Sequence, residues 1–180
     1  MSSKCSGQLD FCFYKNANEL IKIGQYPSKA TLDFNSLDEV FSKELDSLYR
    51  DELGRAVGLR AHGVGVGSFV YLRRIFENLV DEAHQVAKKN NDWDEKAYQE
   101  SRMPEKINLL SHQLPNRLVK NSNLYGILSK GIHELDEEEC LAHFDLVLEA
   151  IKMILKERHE KKEYDKILND LNNTASDIED

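Results

Sequence analysis

Leu124-Tyr125-Gly126-Ile127-Leu128-Ser129-Lys130-Gly131-Ile132-His133-Glu134-Leu135 places a histidine at the end of an apolar helical run, two residues after a glycine expected to break it. Asp136-Glu137-Glu138-Glu139 follows and reads as the start of another helix. Asp136 is a natural N-cap, Glu139 completes a capping box, and the acidic first turn complements the helix dipole. That helix carries Leu141, Phe144, Val147, Leu148, Ile151, Ile154 and Leu155 at helical spacing. An apolar helix, a Gly-x-His corner and a long amphipathic helix together indicate a mainly α bundle.

Upstream, the helical signal is strongest over residues 69–88, where Phe69, Leu72, Ile75, Phe76, Leu79, Val80, Ala83, Val86 and Ala87 form one broad stripe. Ser68 is placed to cap that helix. Before it, Ala61-His62-Gly63-Val64-Gly65-Val66-Gly67 spaces three glycines so as to stop a preceding helix and turn the chain closely. That preceding helix starts at the capping box Ser36-Leu37-Asp38-Glu39 and runs from Val40 to Leu59. A shorter helix opens at Pro104, a residue favoured in a first turn, and closes at Leu114-Pro115. Near the N-terminus, Asp10-Phe11-Cys12-Phe13-Tyr14 and Glu19-Leu20-Ile21-Lys22-Ile23 flank the turn-prone Lys15-Asn16-Ala17-Asn18, which predicts a β-hairpin ended at Gly24-Gln25-Tyr26-Pro27. A lone hairpin is marginal in water, so it is expected to pack on the helices or on a second chain. The organisation is thus a hairpin and linker over 1–34, a helical bundle over 35–157, and a charged helix or tail over 158–180. The last eight residues are expected to fray.

A chain of 180 residues suffices for one buried core. Its net charge of -8 argues against indiscriminate binding to nucleic acid or anionic membranes, which needs a basic face. No apolar run approaches the roughly 20 residues of a membrane span, and the N-terminus has no secretory block. A cytoplasmic location is expected. Three cysteines make no disulfide framework, and neither they nor the histidines show the spacing of a metal cage, so no metal or cofactor is expected.

The order of these pieces resembles the HEPN superfamily of helical nucleotide- and RNA-associated domains, in a prokaryotic branch associated with defence genes. Ser68-Phe69-Val70-Tyr71-Leu72-Arg73-Arg74-Ile75-Phe76-Glu77 resembles its opening helix and Lys106-Ile107-Asn108-Leu109-Leu110 its short middle helix. Gly131-Ile132-His133 resembles the corner ending in histidine, and residues 140–155 its final helix. The likeness spans residues 65–157. It implies a HEPN-like bundle, a homodimer, and a bacterial defence or phage counter-defence setting. Active HEPN ribonucleases resemble one another in an arginine, a polar residue, three further residues and a histidine. Counted back from His133, the polar position is Ser129, but the arginine position is Leu128, which cannot steady a phosphate. Lys130 is the nearest substitute and offers a point charge without a fork. Arg55 and His62 satisfy a looser spacing but precede the opening helix.

Two candidate sites follow. His133, with Ser129 and Lys130, is a catalytic set, a partner contact, or a polar plug bonded to free backbone carbonyls. The turn of His62, Gly63, Gly65, Gly67 and Ser68 leads into a helix, whose free amides and positive dipole end suit an anion, with Arg73 and Arg74 nearby. Close helix packing around the glycines is the simpler reading. Arg73 and Glu77 are spaced to pair on one face, and Arg73 is also expected to reach the His133 corner. Trp93, Tyr98 and Tyr125 are candidates to stack a base, although core packing is simpler. The expected role is a non-catalytic interaction module that binds a protein partner or a phosphate-bearing ligand. The alternatives are a metal-independent endoribonuclease and sequestration of a nucleotide signal.

Overall fold

A computed structural model describes residues 8–35 and 46–179. The chain is mainly α with a small N-terminal hairpin, as the periodicity predicts. Strands β1 (Asp10–Lys15) and β2 (Leu20–Tyr26) pair antiparallel, with a bulge between Cys12 and Phe13. The Asn16 side chain accepts from the Asn18 and Glu19 amides at 2.9 and 2.8 Å and so closes the turn. β2 continues through Gly24 and stops before Pro27, which has no N–H to give a ladder. Of the two covers expected for the hairpin, the helices of its own chain do not supply one. Phe11, Phe13, Tyr14, Leu20, Ile21 and Ile23 all remain exposed.

The helices are α1 (Lys29–Asn35), α2 (Ser47–Ala61), α3 (Gly65–Ala87), α4 (Glu95–Glu100), α5 (Met103–Leu109), α6 (Asn116–Lys120), α7 (Asn123–His133) and α8 (Glu137–Glu179). The capping box expected at Ser36 and the start of the helical run from Val40 lie outside the described residues. α3 is central and packs against α2, α7 and α8. Its Phe69, Leu72, Ile75 and Phe76 are fully buried, with Leu53 and Ala56 of α2, Leu128 of α7 and Phe144 and Ile151 of α8 around them. α1 packs across Gly54 and Gly58 of α2, where a Cβ would meet the Phe34 ring and Ala30 at ordinary contact distances of 3.6 and 3.7 Å.

Two expectations are corrected. The helix anticipated from Phe69 begins at Gly65, so Ser68 lies inside its first turn; its hydroxyl donates to the Gly65 carbonyl at 2.6 Å. Gly131 does not break α7, which runs on to His133. The charged segment from residue 158 takes the helical one of its two expected forms and continues α8 without interruption as far as Glu179. The Asp136 capping box forms as read: the Glu139 amide donates to Asp136 Oδ1 at 2.9 Å, and the Asp136 amide donates to Glu139 Oε2 at 3.1 Å. No helix among the described residues is long and apolar enough to cross a membrane.

The core stripe of α8 ends on a charge. One turn beyond Ile154, Arg158 is buried, donates from Nε and Nη2 to Glu82 at 2.9 and 2.7 Å, and donates from Nη2 to Asp46 at 2.8 Å. Its guanidinium stands 4.6 Å from the centre of the Tyr49 ring. The hydrogen bond from Arg158 holds Asp46 below the usual carboxylate range, while burial pushes the Tyr49 phenol up.

Candidate functional site

The glycine-rich turn builds from α2 outward. Gly63, at φ 78°, ends α2 in the left-handed region that favours glycine. Exposed His62 and Gly63 turn the chain, and Gly65 opens α3. The first amides of α3 are not left free. Those of Gly65 and Val66 both donate to Glu137 Oε2, the latter at 2.9 Å. A carboxylate from the first residue of α8 thus occupies the place where an external anion was expected. Gly65 is needed for this approach, because a Cβ would stand 2.9 Å from that of Cys140 and run into the Glu137 carbonyl. Gly67 is a close-packed position as well, its would-be Cβ 2.9 Å from Val64 and 3.3 Å from Leu59.

Both arginines on α3 are engaged. Arg73 donates from Nε to Glu77 Oε1 at 2.8 Å and from Nη2 to the Tyr125 hydroxyl at 3.0 Å, and that hydroxyl donates to Glu77 at 3.3 Å. The triangle is closed: Glu77 raises the Arg73 pKa, and burial raises that of Tyr125. Arg74 pairs with Glu52 at 3.1 Å, and one oxygen of the buried Glu52 has no partner among the described residues.

The His133 corner lies elsewhere. Tyr125 is the level at which Arg73 meets α7, and His133 is about 12 Å further along that helix at 1.5 Å per residue. His133 and Lys130 are exposed and Ser129 is half-buried. The expected meeting of Arg73 with His133 does not occur. What fixes the corner is Gly131, against which the Phe69 ring packs directly. The Cys140 thiol, raised in pKa by burial, donates to the Gly131 carbonyl at 3.2 Å. The aromatic candidates also turn inward. Tyr98 stacks on buried His84 at 3.7 Å, Trp93 flanks both rings, and Tyr125 packs on Phe76.

The open feature at this end is a groove of about 390 Å³ between α7 and α8. Leu124, Ile127, Leu135, Leu146, Val147 and Ala150 form its apolar lining, and its polar groups come from Asn121, Asn123, Lys130 and His143. Leu146 is 75% exposed within it. Sequence inspection passed over this groove, although Leu146 and Met153 sit off the core stripe of α8. It likewise passed over Arg158, which occupies a core-facing position of the same helix. Of the candidate residues, the fold joins Gly65 to the α8 start, sets Gly67 against Val64 and Leu59, bonds Ser68 back to Gly65, and keeps Arg73, Arg74 and His133 apart. Set against known proteins, the chain matches no family model, no curated protein and no solved structure.

Proposed function

We propose that the chain is a non-catalytic, HEPN-like interaction module that works as a homodimer and meets a protein partner, in the bacterial defence or counter-defence setting that the sequence resemblance implies. One observation carries this reading. The groups suited to phosphate are spent inside the fold, on Glu137, Glu77, Tyr125 and Glu52, while large apolar side chains stand open on the hairpin and on the outer side of α8. Clusters of exposed apolar side chains mark protein contact surfaces. His133 is exposed, and Arg73 is engaged by Glu77 and Tyr125 instead of by His133.

The test presents the full chain to varied RNAs, with and without EDTA, and to cyclic nucleotides by calorimetry. Neither cleavage nor heat is expected. Cleavage that survives EDTA and disappears in His133→Ala overturns the reading in favour of a ribonuclease in which His133 moves the proton and Lys130 steadies phosphate beside Ser129. Heat with a cyclic nucleotide overturns it in favour of signal sequestration.

A further inference from the structure

The outer side of α8 carries a second apolar stripe that the bundle leaves largely open, although the start of α6 bonds Glu157 and Arg117 donates to the Met153 carbonyl at 3.3 Å. Leu146, Met153, Tyr164, Ile167 and Leu171 are each more than half exposed. With Ala150, Glu157 and Glu160 in the same row, they recur at alternating steps of three and four residues, the seam of a two-stranded coiled coil. The seam is about 38 Å long. At 100° per residue it points nearly opposite to Phe144, Ile151 and Leu155, which face the core.

We propose that this seam is a self-association surface on which α8 of a second copy lies antiparallel. The proposal rests on the reading of the chain as an interaction module and names its first partner. The order of side chains is palindromic. With a two-fold axis between Glu157 and Glu160, Leu146 faces Leu171 of the second copy, Ala150 faces Ile167, and Met153 faces Tyr164. Each apolar residue of the seam therefore meets another, and the arrangement is repeated by symmetry. Only the centre is acidic, with Glu157 of each copy facing Glu160 of the other; the Glu157 carboxylate is engaged by the Asn116 and Arg117 amides at 2.8 and 2.9 Å, and this polar centre fixes the register at a cost in stability.

Beside the seam, an antiparallel pair brings Lys156 opposite Glu163 and Glu149 opposite Asp170 of the second copy, whereas a parallel pair sets Lys156 against Lys161 with no opposite-charge pair to offset it. The α7–α8 groove lies on the same path, since Leu168 and Leu171 of the second copy come level with Val147 and Leu146 in its lining. The exposed parts of these side chains amount to on the order of 1,500 Å² over two copies, within the range of specific interfaces.

Light scattering and sedimentation of the full chain at micromolar concentration are expected to show a dimer. Leu146→Glu and Ile167→Glu should each weaken it roughly tenfold or more by burying a charge in the seam. Lys156→Glu should weaken it and added Glu163→Lys should restore it. Orientation is read by preparing Met153→Cys and Tyr164→Cys separately, each with Cys5→Ser and Cys12→Ser, then oxidising them mixed and alone. A covalent dimer in the mixture only supports the antiparallel pair. Self-crosslinking of each variant, a dimer indifferent to the seam substitutions, or a monomer throughout (which leaves the stripe to another protein) overturns it. RNA cleavage would undo the interaction-module reading without changing any of these results, so the two failures are distinguishable.

Discussion

The Glu137 carboxylate accepts a hydrogen bond from the Val66 amide at 2.9 Å, so the first residue of α8 caps the start of α3. The same oxygen takes the Gly65 amide. One charge thereby ties the two longest helices together at their N-termini, where both dipoles favour a negative group. Glu137→Ala is expected to cost about 1–2 kcal/mol, as loss of a helix cap does. It should also open an anion site that the native chain lacks. Thermal denaturation with and without phosphate measures both effects: phosphate should raise the Tm of Glu137→Ala and leave the native chain unmoved. Equal phosphate stabilisation of both would show that these amides are not the anion-binding group.

The two glycines of α7 separate packing from propensity. A Cβ at Gly131 meets the Phe69 ring, and Phe69 is fully buried and cannot yield. Gly131→Ala should therefore destabilise by about 1–3 kcal/mol. At Gly126 nothing lies within 4 Å, and Gly126→Ala in the same helix should stabilise by about 0.5–1 kcal/mol. Urea denaturation of the pair decides the matter. Loss of stability at both positions would point to a general sensitivity of α7 instead of the Phe69 contact.

These glycines also show where the sequence is legible. The α3 stripe, the Asp136 capping box and the hairpin are written locally, in spacing and in neighbours a few residues apart, and all three form. Gly131 reads locally as a breaker because its propensity is poor, but tertiary contact overrides propensity, and Phe69 uses the gap that a missing Cβ leaves. Ser68 looks like a cap because its true competitor, Glu137, comes from another helix and leaves no mark near Ser68. Arg73 was readable as a partner of Glu77 on the same helix. That Tyr125 would close the triangle, away from His133, depends on how α7 lies across α3, which spacing along the chain does not encode.

Arg158 is a charge where the α8 pattern calls for an aliphatic residue, and it joins α8 to Glu82 of α3 and to Asp46 ahead of α2. Arg158→Leu fills the space but strands two carboxylates. Since Glu82 and Asp46 are 43% and 50% exposed and can rehydrate, the expected loss is about 1–3 kcal/mol, below that of a fully buried pair. Arg158→Lys keeps the charge without the fork and should recover only part of it. Because Asp46 is held below its ordinary range, its contribution is present at neutral pH and is lost as pH falls below the usual carboxylate range. Stability curves from neutral to acid pH test this: the difference between native and Arg158→Leu should shrink on acidification. A gap that stays constant with pH would remove the ion pair from the explanation and leave packing.

An acid-dependent corner is expected around Glu95, and the chain's single tryptophan reports on it. Glu95 accepts from Gln99 at 2.7 Å and from the Trp93 indole at 2.8 Å, and lies 2.9 Å from His84 Nε2. The Gln99 bond, then those of Trp93 and His84, hold its carboxyl at about 2. A carboxylate with a folded value below its unfolded one stabilises above the unfolded value and ceases to do so as pH falls toward the folded one. In the folded protein the Trp93 emission should therefore shift only as pH approaches about 2, as the indole loses its acceptor and α4 loosens from His84. Glu95→Gln retains an acceptor without a titrating proton, so its emission should be flat across that window. An identical acid profile in the two proteins would mean that the indole responds to global unfolding and not to Glu95.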